Sequence, residues 1–94
     1  MPFVARRAKE GWSKMHYVYL LKSVAFAGER YVGLTCDLKS RLADHNNGHS
    51  RHTSKFRPWK LETYIGFSER EKAAAFERYL KSGSGHAFAK KRLW

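Results

Sequence analysis

One carboxylate in this chain is placed where chemistry could be done. Glu77 lies in EREKAAAFERYLK, one turn after Ala73 and three residues before Leu80, on the border of an apolar helical stripe through Ala73, Phe76 and Leu80. A carboxylate at such a border costs free energy unless something pairs with it. One pairing is an ion pair with Lys81 at i+4, worth about 0.2–0.5 kcal/mol. The other is a divalent cation such as Mg²⁺, which takes one or two carboxylates and completes its shell with water and phosphate. Arg41 and His45 form a second group, one turn apart on one helical face. Asp37, at i−4 from Arg41, would make it a plain helical ion pair. An exposed Arg–His pair is equally suited to holding a phosphate and relaying a proton. His45, His49 and His52 lack the Cys or carboxylate that would complete a zinc set. Cys36, the only cysteine, excludes a disulfide framework within the chain and is expected to be a small buried residue. Tyr17-Val18-Tyr19 and Tyr31-Val32-Gly33 fall in two strand-like runs, where most aromatics belong to a core. Gly33 inside such a run marks a bulge or a close approach of another group.

These residues sit in a strongly basic chain. It has 94 residues, 19 Lys and Arg against 8 Asp and Glu, and a formal net charge of +11. That length supports one domain, and 43% hydrophobic residues are enough for a small core, which argues against disorder. No apolar run approaches the roughly 20 residues of a membrane-spanning helix, and no apolar segment of a secretory signal follows the basic residues near Met1. A cytoplasmic location, with no membrane partner, is the expectation. The charge is the footprint of a nucleic-acid binder, since each neutralised phosphate releases counterion without sequence readout. The basic residues cluster. Lys39, Arg41, Arg51, Lys55, Arg57 and Lys60 are opposed only by Asp44, and after Glu77 no acid follows among Arg78, Lys81, Lys90, Lys91 and Arg92. Arg51, Lys55, Arg57 and Lys81 are the candidates for phosphate contact.

The elements that must position these groups can be read in order. Residues 1–14 form a basic leader without sustained periodicity, expected to be loosely ordered, and Met15 is a possible alternative start. HYVYLLK (16–22) predicts a strand buried on both faces, and RYVGL (30–34) a second strand paired antiparallel through a short turn. Thr35 or Asp37 caps a helix through LKSRLADHN, which Gly48 stops. GHSRHTSKFRP is a polar loop, and WKLETYIGF a third strand. Ser68 and Glu71 form a capping box before a strong helix that Gly83 and Gly85 end, with a short basic helix or tail from Phe88 to Trp94. The order β-β-α-β-α-(α) predicts an α+β domain over 15–94, a three-stranded antiparallel sheet flanked by helices.

Taken together, Tyr17-Val18-Tyr19, Tyr31-Val32-Gly33, Arg41 in DLKSRLADHN and Glu77 in AAAFERYLKSG resemble, in order and separation, the motifs of the GIY-YIG nuclease superfamily. The resemblance covers roughly residues 16–88, judged from motif order, and is nearest to small bacterial single-domain members, with the nuclease domain of the excision-repair incision subunit more distant. It implies a metal-dependent DNA endonuclease, with DNA repair as the expected setting and one Mg²⁺ or Mn²⁺ ion on Glu77. Arg41 resembles the arginine that donates to the phosphate, and His45 the His or Tyr one turn later. Tyr31 and then Tyr19 resemble the tyrosines that accept a proton from water. An ordinary tyrosine titrates near ~10 and needs nearby positive charge to act at neutral pH, so His45 stays an alternative base. Two positions depart from the family pattern. Tyr17 stands where the first motif has Gly, and no Asn follows Asn47. A non-catalytic nucleic-acid-binding module with the same fold is therefore the alternative. DNA is the expected partner, RNA a second possibility, and a small chain with little surface for base readout is expected to take its specificity from shape or from a protein partner.

Overall fold

Eight residues rich in Val, Leu and Tyr make β1 (His16–Ser23) the middle strand of the sheet. Val18 to Leu21 are all buried, so this strand packs on both faces. A computed structural model describes residues 15–94 of the chain; the basic leader lies outside the described residues. β2 (Arg30–Thr35) and β3 (Trp59–Phe67) flank β1, each antiparallel to it, in the order β2-β1-β3. Three helices complete the fold: α1 (Leu38–Asn46), α2 (Arg70–Leu80) and α3 (Gly83–Arg92). This is the expected α+β order, with the last segment a full helix of ten residues. No helix of the described residues is long and apolar enough to cross a membrane.

Alternation along β1 divides the interior into two cores. Val18 and Leu20 point to one face, where α2 and α3 supply Ala73, Leu80 and Ala89. Tyr19 and Leu21 point to the other, where Trp59 joins them and Leu38 and Leu42 of α1 pack with Phe56. β3 serves both cores through a bulge. Leu20 pairs with Thr63 but Leu21 with Leu61, which leaves Glu62 as the extra residue. Leu61 therefore joins the α1 side, while Thr63 on the opposite side donates its hydroxyl to the Leu93 carbonyl at 2.7 Å.

Local capping explains α1 and corrects the reading of α2 and α3. Asp37 caps α1 by accepting from the Ser40 amide at 3.1 Å, and Gly48 follows the helix at φ +80°, a conformation that favours glycine. The capping box expected at Ser68 and Glu71 is absent. Glu69, not Ser68, stands at the N-cap and makes no side-chain cap bond, so Glu71 is one position too early to reach back. Burial of Ala73 and Leu80 holds α2 in its place. Gly83 and Gly85 do not end α2 directly; Lys81 caps it, and both glycines lie in the first turn of α3, where Ser82 accepts from the Gly85 amide at 3.2 Å. A Cβ on Gly85 would overlap the Tyr79 carbonyl, so this glycine allows α3 to turn tightly against the end of α2.

Candidate active site

The site begins with a cross-strand pair. Tyr19 on β1 faces Gly33 on β2, and a Cβ at Gly33 would overlap the phenol ring. Glycine thus lets the Tyr19 ring lie flat across β2 with its hydroxyl toward α1. There the hydroxyl meets Nε2 of His45 at 2.9 Å, and Nδ1 of His45 lies 2.7 Å from Oγ1 of Thr53. Oγ1 of Thr53 is in turn 3.5 Å from the Ser50 carbonyl. One assignment gives every hydrogen a partner: Tyr19 O–H donates to Nε2, Nδ1–H donates to Thr53, and the Thr53 hydroxyl donates to Ser50. Tyr19, His45 and Thr53 are all at most 2% exposed.

Tyr31 lies over this chain, its ring centroid 4.9 Å from that of His45 and 6.1 Å from that of Tyr19. Tyr31, Arg41, Asp44, His45, His49 and Ser50 line a cleft of about 280 Å³. Burial pushes the Tyr19 phenol up from its ordinary 10.0 to about 12, aided by Tyr31 and the Glu77 charge and opposed by Arg41. Burial also lowers the His45 imidazole below its ordinary 6.5, with Arg41 acting the same way and Asp44 against it. At neutral pH both groups are therefore uncharged. A phenol that holds its proton this tightly is a donor, which opposes the expectation of Tyr19 as a base.

Several expectations change at this point. His45 is not part of an exposed pair with Arg41; it is buried, because its two ring nitrogens find partners inside the fold. Asp37 is occupied by capping, and the carboxylate near Arg41 is Asp44, 3.8 Å from Nη1. Cys36 is exposed, not buried, with Sγ 3.3 Å from Nδ1 of His16. Thr53 carries no signal in the sequence: it stands in a polar loop, and its link to His45 spans eight residues without periodicity. That loop also contains a short 3₁₀ turn, Ser54–Phe56.

Glu77 is 22% exposed and pairs with Lys81 at 3.1 Å, the i+4 contact its spacing allowed. Its charge adds slightly to the upward push on the Tyr19 phenol, but Glu77 is not among the residues that line the cleft. No group of three or more His, Cys, Asp or Glu residues suited to a metal occurs among the described residues. A one-carboxylate donor set would fit Mg²⁺ or Mn²⁺ only as a site completed by water and substrate phosphate, with the partly exposed Glu77 released from Lys81 to supply the carboxylate. Of the candidate phosphate contacts, Arg51 and Lys55 project from the exposed loop. Arg57 folds back, donating from Nε to the Ser54 carbonyl at 2.7 Å. Lys81 is held by Glu77.

This sheet, cleft and helix arrangement defines a class. The profile of the GIY-YIG catalytic domain matches residues 15–91, and the chain belongs to that family. Among its relatives is a UPF0213 protein of Streptococcus pneumoniae, 38% identical over 66 residues, which cover 69% of this chain and 65% of the relative. The structure-specific endonuclease subunit SLX1 homolog 1 of Trypanosoma cruzi is 40% identical over 72 residues, but the match covers 69% of this chain and 14% of that protein. The chain thus spans under two thirds of these relatives. The solved structure of a UPF0213 protein from Bacillus halodurans superposes with a TM-score of 0.50 at 28% identity, covering 82% of this chain and 83% of that one.

Proposed function

We propose that the chain is a metal-dependent endonuclease that hydrolyses phosphodiester bonds in DNA, with a cytoplasmic role in repair and a protein partner that supplies specificity. The observation that carries this reading is the convergence of Tyr31, Arg41 and His45 on one cleft, in a chain matched by a catalytic-domain family. Arg41 donates to a nonbridging phosphate oxygen and stabilises the charge that builds there. Tyr31, at the cleft wall, accepts the proton of the attacking water. Tyr19 and His45 act from beneath, holding Tyr31 in place and keeping the pocket floor neutral. Glu77 would hold one Mg²⁺ or Mn²⁺, which when bound would polarise the phosphate and support the leaving 3′ oxygen. Arg51, Lys55, Arg57 and Lys81 gather the backbone of DNA, or of RNA, electrostatically.

The test uses linear, nicked and branched DNA with Mg²⁺ or Mn²⁺, and again with EDTA. Cleavage is expected only with metal. Arg41→Ala is expected to lose it while keeping the fold. Glu77→Gln is expected to cost only about 0.2–0.5 kcal/mol of stability through the lost i+4 pair, to bind DNA, and to lose cleavage. Parental cleavage by folded Glu77→Gln would remove the metal-ligand assignment. The second reading, a binding module without turnover, is favoured by one observation: the Glu77 carboxylate is already engaged by Lys81. Metal-independent binding with no cleavage of any substrate would select it.

A further inference from the structure

We propose that the groove between β2, the end of α2 and α3 is a second site, which binds a single strand of nucleic acid running on from the catalytic cleft; the proposal rests on the nucleic-acid reading above. The groove measures about 630 Å³, within the roughly 300–1,000 Å³ of sites that enclose small ligands. Its floor is apolar, formed by Val32, Leu80 and Ala89. Its rim is cationic. Arg30 stands on β2, Lys81 after α2 and Lys90 on α3, with His86 nearby and Glu29 as the opposing acid. The Arg30 guanidinium also lies 4.9 Å from the centroid of the Trp94 ring, so a planar cation rests on an aromatic plane inside the groove.

An apolar floor, a guanidinium laid on an indole and a cationic rim match one ligand chemistry closely. Bases are apolar on their faces and stack, while the backbone that joins them is anionic. A duplex hides its base faces by stacking and pairing; an unpaired segment offers them. An acidic peptide would satisfy the rim but leave the floor unused. Position supports the same occupant. Tyr31 lines both the groove and the cleft, so the two meet at the edge strand β2, and a strand held at Arg41 passes over β2 to enter the groove. Lys81 lines the groove while paired with Glu77, and a phosphate on the rim competes for that ammonium. Strand binding therefore loosens the Glu77 carboxylate from its internal partner.

The experiment is fluorescence anisotropy with a labelled short oligothymidylate, its abasic counterpart, a blunt duplex and a polyglutamate peptide. Lys90→Glu and Ala87→Glu alter the groove at exposed positions of α3, which preserves the fold and is checked by circular dichroism. Lys72→Glu makes the same charge reversal at the start of α2, outside the groove lining. Both groove variants are expected to bind the oligothymidylate about tenfold more weakly, the size of one lost stacked base, while Lys72→Glu loses no more than about twofold, the scale of a screened surface charge. For the parent, the abasic strand is expected to bind about tenfold more weakly than the oligothymidylate. Equal losses in Lys72→Glu and Lys90→Glu would overturn the proposal. So would an abasic strand or polyglutamate that binds as tightly as the oligothymidylate. Binding is read without cleavage, so an inactive parent that passes these tests sinks the nuclease reading alone, and an active parent that fails them sinks the groove alone.

Discussion

The two faces of β1 are built from alternate residues of one strand, yet they are held by different physics. On the α2–α3 face, Val18 and Leu20 meet Ala73, Leu80 and Ala89 by apolar burial, and the Thr63–Leu93 hydrogen bond is a polar contact at the margin of that core. On the α1 face, Tyr19, His45 and Thr53 put a polar chain in the interior, where each member depends on the next. An apolar core loses stability in proportion to what is removed. A buried polar chain is satisfied or it is not, and a single missing partner leaves a desolvated group behind. Tyr19, Tyr31, Arg41 and His45 lie on the second face, while Glu77 stands on α2, which packs on the first. There the protein has spent rigidity on orientation, and Tyr31 and Arg41 are set against a floor that cannot easily shift.

That contrast can be tested by urea unfolding. Leu20→Ala, at a fully buried position, is expected to show the largest effect, about 2–5 kcal/mol, with DNA cleavage changing only as far as folding does. A selective loss of cleavage in folded Leu20→Ala would blur the distinction between the faces. Thr53→Val keeps the volume but strips the acceptor from Nδ1 of His45, and is expected to cost about 1–3 kcal/mol. Its cleavage is expected to fall further than its stability, because the tautomer and the tilt of His45 are no longer imposed. A neutral outcome on both measures would mean that the chain is not cooperative.

The smallest expected effect is in pH dependence, and it belongs to the polar face alone. The unfolded chain protonates His45 below 6.5 while the folded one resists, so stability is full above that pH and declines as pH falls toward the lowered folded value. Tyr19 acts at the other end. Folded, it keeps its proton to about 12; unfolded, it ionises near 10.0, so stability is full below that value and is lost across this interval. Tyr19→Phe is expected to remove the alkaline decline, and a parent and variant with equal slopes there would break the assignment.

How much of this was legible depends on how local the cause was. β1 to β3 and α1 follow from periodicity, from Asp37 and from Gly48, each acting within a few residues, and the structure has them where those signals point. Gly33 was legible as a close approach, though not what approached. The misreadings are all tertiary. Gly85 resembles a helix stop until the Tyr79 carbonyl is seen against it, and the Ser68–Glu71 pattern was overridden by where Ala73 and Leu80 had to be buried. His45 reads as exposed because nothing within a turn of it shows that Tyr19 and Thr53 close around both nitrogens. Motif order brought both tyrosines forward; only the packed structure separates Tyr31 at the cleft wall from Tyr19 beneath it.

The bulge in β3 has a consequence for how this strand can change length over evolution. Because Glu62 is opposite neither Leu20 nor Leu21, the strand carries one residue more than its ladder needs. Deleting Glu62 would join Leu61 to Thr63 and leave each on the side it already occupies, so the shortened strand is expected to unfold near the parental urea midpoint, within about 1 kcal/mol. Deleting Ile65 instead would turn Phe67 out of the α2–α3 core, since one residue inverts every side chain beyond it. The spare residue is a ratchet tooth: β3 can give up a residue at one position and at none of its neighbours.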